Sequence, residues 1–153
     1  IKKGYPLQLE LIGDGYKPAL NKLRKKISNI KSDKIIYKGS VKNSILHNHY
    51  KKSNLFIFAS SCENLPIILL EALATRTPIV SSNRGPMPEI LGKEFVYFDP
   101  YNPKSIANAI EKVIKSKKKR NDLSKKSYII SRQYNWESCA DSTFSFISKI
   151  IKK

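Results

Sequence analysis

At 153 residues the chain has the length of one ordinary domain and can bury a core without disulfide or metal staples. Hydrophobic residues make up 41%, which excludes a disordered chain, and the longest apolar runs, Leu55 to Ala59 and Pro66 to Leu70, fall far short of the roughly 20 residues of a membrane span. The formal charge is +17, from 29 Lys and Arg against 12 Asp and Glu, a field that attracts anions. Nucleic acid, an anionic membrane surface, an anionic ligand, or simply a Lys-rich solvated surface all fit it.

In chain order, Leu7 to Ile12 (LQLELI) predicts a buried strand, ended by the tight turn Gly13-Asp14-Gly15. Lys17 to Ile30 predicts a helix, with Leu20, Leu23 and Ile27 on one face. A short strand, Lys34 to Lys38 (KIIYK), closes at Gly39, and Ser44 to Lys52 reads as a short polar helix. Leu55 to Ala59 (LFIFA) is a third strand, too apolar for a solvent-facing edge. After the polar loop Ser60 to Leu65, Pro66 suits the first turn of a helix running to about Thr75. Thr77 to Ser82 and Phe95 to Phe98 are the fourth and fifth strands, separated by a Gly/Pro loop, Asn83 to Pro88, and a short helical turn, Met87 to Leu91. Helices follow at Ser105 to Ser116, with Ile106, Ala109, Ile110 and Val113 on one face, at about Lys119–Arg132, and at Trp136–Ile151.

Short apolar strands alternating with helices make an α/β fold, a Rossmann-like parallel sheet with helices on both faces. Ligands of such sheets bind beyond the carboxyl ends of the strands, which directs attention to Gly13–Gly15, Gly39–Asn43, Ser60–Leu65 and Asn83–Pro88. Residue 18 is Pro18, so Gly13 and Gly15 lack the third glycine of a dinucleotide loop. Phe56, Phe58, Tyr97 and Phe98 read as core, and Lys117 to Arg120 as a solvated basic face. Cys62 and Cys139 are too few for a disulfide framework or a zinc site and fit buried thiols in a reducing cytoplasm. His47 and His49 have no carboxylate nearby in sequence, so no metal site is expected. There is no apolar leader, and a chain that starts at Ile1 with Met87 as its one methionine reads as part of a longer polypeptide.

Chemistry concentrates between Glu63 and Glu71. The free N–H groups of the helix that begins near Pro66, together with its dipole, favour an anion. Leu65 and Ile67 supply backbone donors there; Pro66 cannot. Glu71 lies about 8 Å along the helix from Pro66 and one turn after Ile67, on the same face. Two carboxylates can thus border one pocket and accept hydrogen bonds from sugar hydroxyls. An acid near a helix start also simply stabilises the helix, and spacing alone does not choose between the two.

The segment SCENLPIILLEALATRTPIVSS resembles the signature of the group 1, or family 4, glycosyltransferases, which include bacterial mannosyl- and lipopolysaccharide transferases. Glu63 and Glu71 match its two glutamates, Ala72 and Ala74 the small residues after the second, and Pro78, Ile79 and Val80 the next strand. LELIGDG, IIYKGSV and MPEIL match further family elements in family order across roughly residues 7 to 115, and Tyr134-Asn135-Trp136 precedes a last helix as in the family. The resemblance implies a retaining hexosyltransferase and the C-terminal, donor-binding half of the two-domain GT-B fold. It implies that Glu63 stabilises the reacting end of the donor sugar and that Glu71 binds the ribose hydroxyls. Asn64, Leu65 and Ile67 would meet sugar and phosphate through backbone groups, and Val41 the nucleobase. No metal or other cofactor is expected, since the nucleotide-sugar is itself the substrate.

Three departures stand out. Asn64 replaces a usual Gly and is expected to tolerate positive φ; Arg76 replaces the Gly that ends the second-glutamate helix. The family's phosphate-clamping Arg and Lys would precede Ile1, and Lys2, Lys3 and Gly4 do not match them. The expected organisation is one nucleotide-sugar-binding domain over 1–153, with its core at about 7–115 and C-terminal helices at about 116–153. The first strand-helix unit and the N-terminal acceptor domain would lie outside this chain. The expected partners are a nucleotide-sugar donor and, through the missing domain, a saccharide or lipid-linked acceptor. The expected place is the cytoplasm, with peripheral contact at an anionic inner membrane face. The alternatives are a basic nucleic-acid- or membrane-binding module, or a nucleotide-sugar epimerase of the same architecture. Nucleic acid is not expected, because no helix-turn-helix, aromatic RNA-binding stretch or zinc signature accompanies the charge.

Overall fold

The structure, a computed structural model, describes residues 4–151. Lys2 and Lys3, weighed above against the family's phosphate clamp, lie outside the described residues. The chain forms two compact units, one ending at Leu46 and one starting at His47.

The first unit contains β1 (Leu9–Ile12), α1 (Lys17–Ile30) and β2 (Ile35–Gly39). The strands pair in parallel, Leu9 with Ile35 and Leu11 with Tyr37, and the register slips after Leu11 so that Ile12 meets Gly39. Asp14 Oδ1 accepts from the Gly15 N–H at 2.9 Å, and the Tyr37 hydroxyl donates to the Gly13 carbonyl at 3.0 Å, fixing the turn after β1. Lys38 pairs with Glu10 at 3.2 Å on the neighbouring strand. None of this unit's described residues is buried, and Leu9 is 36% exposed. The expectation of a buried first strand is thereby corrected. In a sheet of two strands each strand is an edge, and one helix shields only part of the apolar surface.

Helix α2 (Asn43–Lys52) crosses into the second unit, which holds β3 (Phe56–Phe58), α3 (Ile67–Ala74), β4 (Ile79–Ser82), α4 (Met87–Leu91) and β5 (Val96–Phe98). Helices α5 (Pro103–Ile114), α6 (Lys117–Ser131) and α7 (Trp136–Ile151) follow. The sheet is parallel in the order β3-β4-β5, with Phe56 against Ile79 and Val80 against Val96. All four residues of central β4 are buried, as expected of a strand flanked on both sides and covered on both faces. Leu69, Ala72 and Leu73 of α3, Met87, Phe98, Val113 and Leu123 complete the core.

Several sequence readings shift. β3 is an edge: it bonds to β4 alone among the described residues, although its composition suggested an interior strand, and Phe56 and Ile57 are only half-buried. α5 starts at Pro103 because the Asn102 side chain accepts from the Lys104 and Ser105 N–H groups at 3.0 and 3.1 Å. α6 starts at Lys117 because the Ser116 hydroxyl caps the Lys119 N–H at 3.1 Å. Both cysteines are exposed rather than buried. No residue of α7 is buried, and no helix among the described residues is long and apolar enough to cross a membrane.

The end of α3 needs a left-handed residue, and Arg76 takes it at φ 61°. The Arg76 N–H reaches the Leu73 carbonyl at 3.0 Å and the Thr77 N–H the Ala72 carbonyl at 3.3 Å, the paired bonds that close a helix. Glycine would adopt this conformation freely; a side chain there costs about 1 kcal/mol. Immediately beyond, the buried Ser127 hydroxyl of α6 donates to the Thr77 carbonyl at 3.0 Å. Ser127→Ala is expected to lower unfolding stability by about 1–3 kcal/mol, because a buried acceptor loses its donor. Urea denaturation measures it, with the half-exposed Ser124→Ala as the near-neutral comparison.

Candidate functional site

The chain leaves β3 at Phe58, runs through a polar loop and enters α3 at Ile67, with Pro66 as the capping residue. Proline has no side-chain acceptor to cap the helix, so nothing from the cap competes for the first N–H groups. The Leu69 and Leu70 N–H groups both turn back to the Pro66 carbonyl, at 2.9 and 3.3 Å. The N–H groups of Ile67 and Ile68 come before this first bond and face outward with the positive end of the helix dipole. Asn64, Leu65 and Ile67 are all exposed.

Glu71 lies one turn further along and is half-buried. The Tyr50 hydroxyl of α2 donates to Glu71 Oε2 at 3.2 Å. Tyr50 is itself held firmly. It is 8% exposed, its ring meets Phe56 edge-on with centroids 5.3 Å apart, and its carbonyl accepts from the Thr77 hydroxyl at 2.9 Å. Burial raises the Tyr50 pKa well above its usual 10.0, and the charge and hydrogen bond of Glu71 raise it further. Tyr50 therefore stays a donor throughout the neutral range and fixes one carboxylate oxygen, leaving the other available to a hydroxyl donor.

Glu63 is half-buried in the loop before α3. Its backbone lies against the loop that follows β4. A Cβ built on Gly85 would stand 3.6 Å from the Glu63 carbonyl oxygen and 3.9 Å from its nitrogen. Gly85 has φ +53°, so a side chain there would be strained as well as close. Two of the loops picked out by the carboxyl-end rule thus meet, around a glutamate. Asn64 does not use the positive φ that it would tolerate; among the described residues other than glycine only Lys31 and Arg76 have it. Val41 belongs to the first unit, where it is half-buried in the segment between β2 and α2. Among the described residues no three His, Cys, Asp or Glu side chains are grouped to hold a metal ion.

Sequence reasoning missed Tyr50, hidden in a helix read as polar. The available signal was Leu46 and Tyr50 four residues apart, the spacing of one apolar helix face. Gly85 was marked only as part of a loop; its approach to Glu63 is a tertiary fact with no local signature.

This chain belongs to the family of glycosyl transferases group 1, whose sequence profile matches residues 1–129. It is similar to an uncharacterized glycosyltransferase of Methanocaldococcus jannaschii, 29% identical over 119 residues, 72% of this chain and 29% of that protein. It is similar also to the alpha-monoglucosyldiacylglycerol synthase of Streptococcus pneumoniae, 28% identical over 136 residues, 87% of this chain and 30% of that protein. The chain thus spans about 30% of the length of these relatives. Its fold matches Anabaena HepE, solved in complex with UDP, with a TM-score of 0.84 at 17% identity, over 96% of this chain and 42% of that one. The fold is the parallel α/β type of the GT-B glycosyltransferases' C-terminal domain.

The raised pKa of Tyr50 gives a pH test with a definite sign. A group whose pKa is higher folded than unfolded contributes stability that is complete below the unfolded value and declines as pH rises through the folded one. Stability is expected to fall above pH 10.0, with Tyr97, pushed up to about 12 by burial, contributing to the same slope. Tyr50→Phe is expected to flatten that slope and to cost about 1 kcal/mol at neutral pH through the lost hydrogen bond. Denaturant titrations across the alkaline range read both effects.

Proposed function

We propose that this chain forms the donor-binding part of an enzyme that moves a sugar from a nucleotide-sugar to a lipid-linked, saccharide or polysaccharide acceptor, with retention of anomeric configuration. One observation carries the reading: Glu71, its carboxylate fixed by the buried Tyr50 hydroxyl, stands one turn inside a helix whose first N–H groups are uncapped. A helix start suits a phosphate, and an oriented carboxylate suits vicinal hydroxyls, so the pair fits a ribose joined to a phosphate. Glu71 takes the ribose hydroxyls, and the backbone of Asn64, Leu65 and Ile67 takes sugar and phosphate. Glu63 faces the donor sugar and stabilises the positive charge that develops at its reacting carbon as the nucleoside diphosphate departs. UDP in the HepE structure, a protein of the same fold, supports a nucleotide as the ligand class.

No metal or organic cofactor enters this reading. The remaining diphosphate charge is met by an Arg and a Lys carried by the longer polypeptide, which also brings the acceptor domain. Action is on the cytoplasmic side, beside the inner face of the membrane when the acceptor is lipid-linked.

Titration of the full-length polypeptide with UDP, GDP and ADP, read by amide NMR shifts, tests the donor site. At least one nucleotide is expected to shift Ile67, Ile68 and Glu71. Glu71→Gln is expected to weaken it by about tenfold, the loss of a charged hydrogen bond. Glu63→Gln is expected to leave nucleotide affinity nearly unchanged and to cut turnover by about 10²–10³, as when one group that stabilises transition-state charge is removed. Binding by none of the three nucleotides would sink the reading. Product stereochemistry tests retention separately, and the 153-residue chain by itself is expected to give no turnover.

A further inference from the structure

The parallel order of β3 and β4 sets two ends apart. The loops after the strands carry Glu63 and Gly85; the segments before them, Ser53–Asn54 and Thr75–Pro78, lie at the amino ends. At that amino end is a concavity of about 250 Å³ lined by Lys51, Thr75, Arg76, Arg120, Asn121 and Ser124, among others. Three lining residues are cations and none is an acid. Among the described residues the ion pairs engage Lys34, Lys38, Arg84, Lys115 and Lys126, not these three.

Two of the cations are held in place. Arg120 Nη1 donates to the Val113 carbonyl at 3.2 Å and to the Ile114 carbonyl, so the closing turn of α5 anchors the guanidinium, while its other N–H donors are not bonded there. Arg76 stacks its guanidinium carbon 3.9 Å over the Tyr128 ring. Its backbone is also the left-handed one that glycine adopts without strain. Strain of this kind points toward a local role for the side chain that bears it. A surface lysine on a solvated helix needs neither anchor nor strain.

We propose that this concavity is a second anion site, distinct from the donor site, and that it binds a phosphate group. Arg120 keeps the donors that the α5 carbonyls do not take, Arg76 places a second guanidinium beside it, and Lys51 adds a mobile positive charge. The hydroxyl and amide groups of Thr75, Ser124 and Asn121 suit the remaining oxygens or their water. The volume admits a phosphate ester with several waters, each of which takes about 30 Å³ in the liquid. A free phosphorylated metabolite and a phospholipid headgroup present the same chemistry, and the site stands whether or not the donor reading is correct.

Arg76→Gly makes a clean probe, because it removes the cation while relaxing the backbone. In the full-length polypeptide, inorganic phosphate or glycerol 3-phosphate is expected to shift the amides of Thr75, Arg76, Asn121 and Ser124. The double variant Arg76→Gly/Lys51→Gln is expected to lose at least about tenfold in affinity, the worth of one charge-assisted hydrogen bond, with an unchanged or higher melting temperature. Flotation with phosphatidylcholine vesicles, with and without phosphatidic acid, separates the sources. Saturation by the soluble esters identifies a free ligand. Binding only to phosphatidic acid vesicles, lost in the double variant, identifies a headgroup; either result supports the site. The proposal is overturned if no probe shifts these residues, or if the double variant binds phosphate and vesicles as well as the parent.

Discussion

Thr77 is where the second unit is tied together. Its N–H closes α3 on Ala72, its hydroxyl reaches the Tyr50 carbonyl at the end of α2, and its carbonyl receives the Ser127 hydroxyl of α6. Three helices are thus joined at a buried residue that enters the central strand two positions later. Buried polar groups stabilise a fold only when satisfied, and here each partner also satisfies Thr77. Tyr50 is the consequence that matters for chemistry. Its carbonyl is pinned by Thr77 and its ring by Phe56, so its hydroxyl is delivered to Glu71 at a fixed place. The orientation of a carboxylate near one end of the sheet therefore depends on a threonine at the other.

The two glutamates were legible because their spacing and the proline and apolar run between them are local features of one loop and helix. The apolar periodicity of Ala109 and Val113 likewise marked a buried face. Tyr50 was not legible, because what singles it out is a partner 21 residues away. Asn64 shows how little a local tolerance decides. Its tolerance of positive φ is not called upon, because the loop forms without it. Arg76 is the reverse case: an unfavourable residue at a required left-handed position, correctly located by its neighbours rather than by its own propensity.

The edge strand β3 carries a similar lesson about composition. Phe56, Ile57 and Phe58 have the apolarity of an interior strand, yet the ladder continues only toward β4. An edge strand so apolar is one that natural sheets ordinarily pair, cover or interrupt with charge. β1 has the same mismatch: Leu9 is exposed in a strand whose sequence reads as buried. Composition reported correctly what these strands are made to tolerate, and failed only in assuming that the described ladder would supply it.

Charge completes the physical picture. A chain at +17 attracts anions over its whole surface, so net charge cannot select a site. Selection requires cations whose positions are fixed, because an exposed flexible lysine gains little from any one partner. The α5 terminus and the Tyr128 ring provide such fixation for Arg120 and Arg76. At the other end the requirement is inverted. Glu63 and Glu71 put negative charge beside the start of α3, whose uncapped N–H groups and dipole are the positive elements there. Fixed dipoles attract an anion without bringing a mobile cation against a carboxylate, which lets a negative pair and a phosphate share the start of one helix.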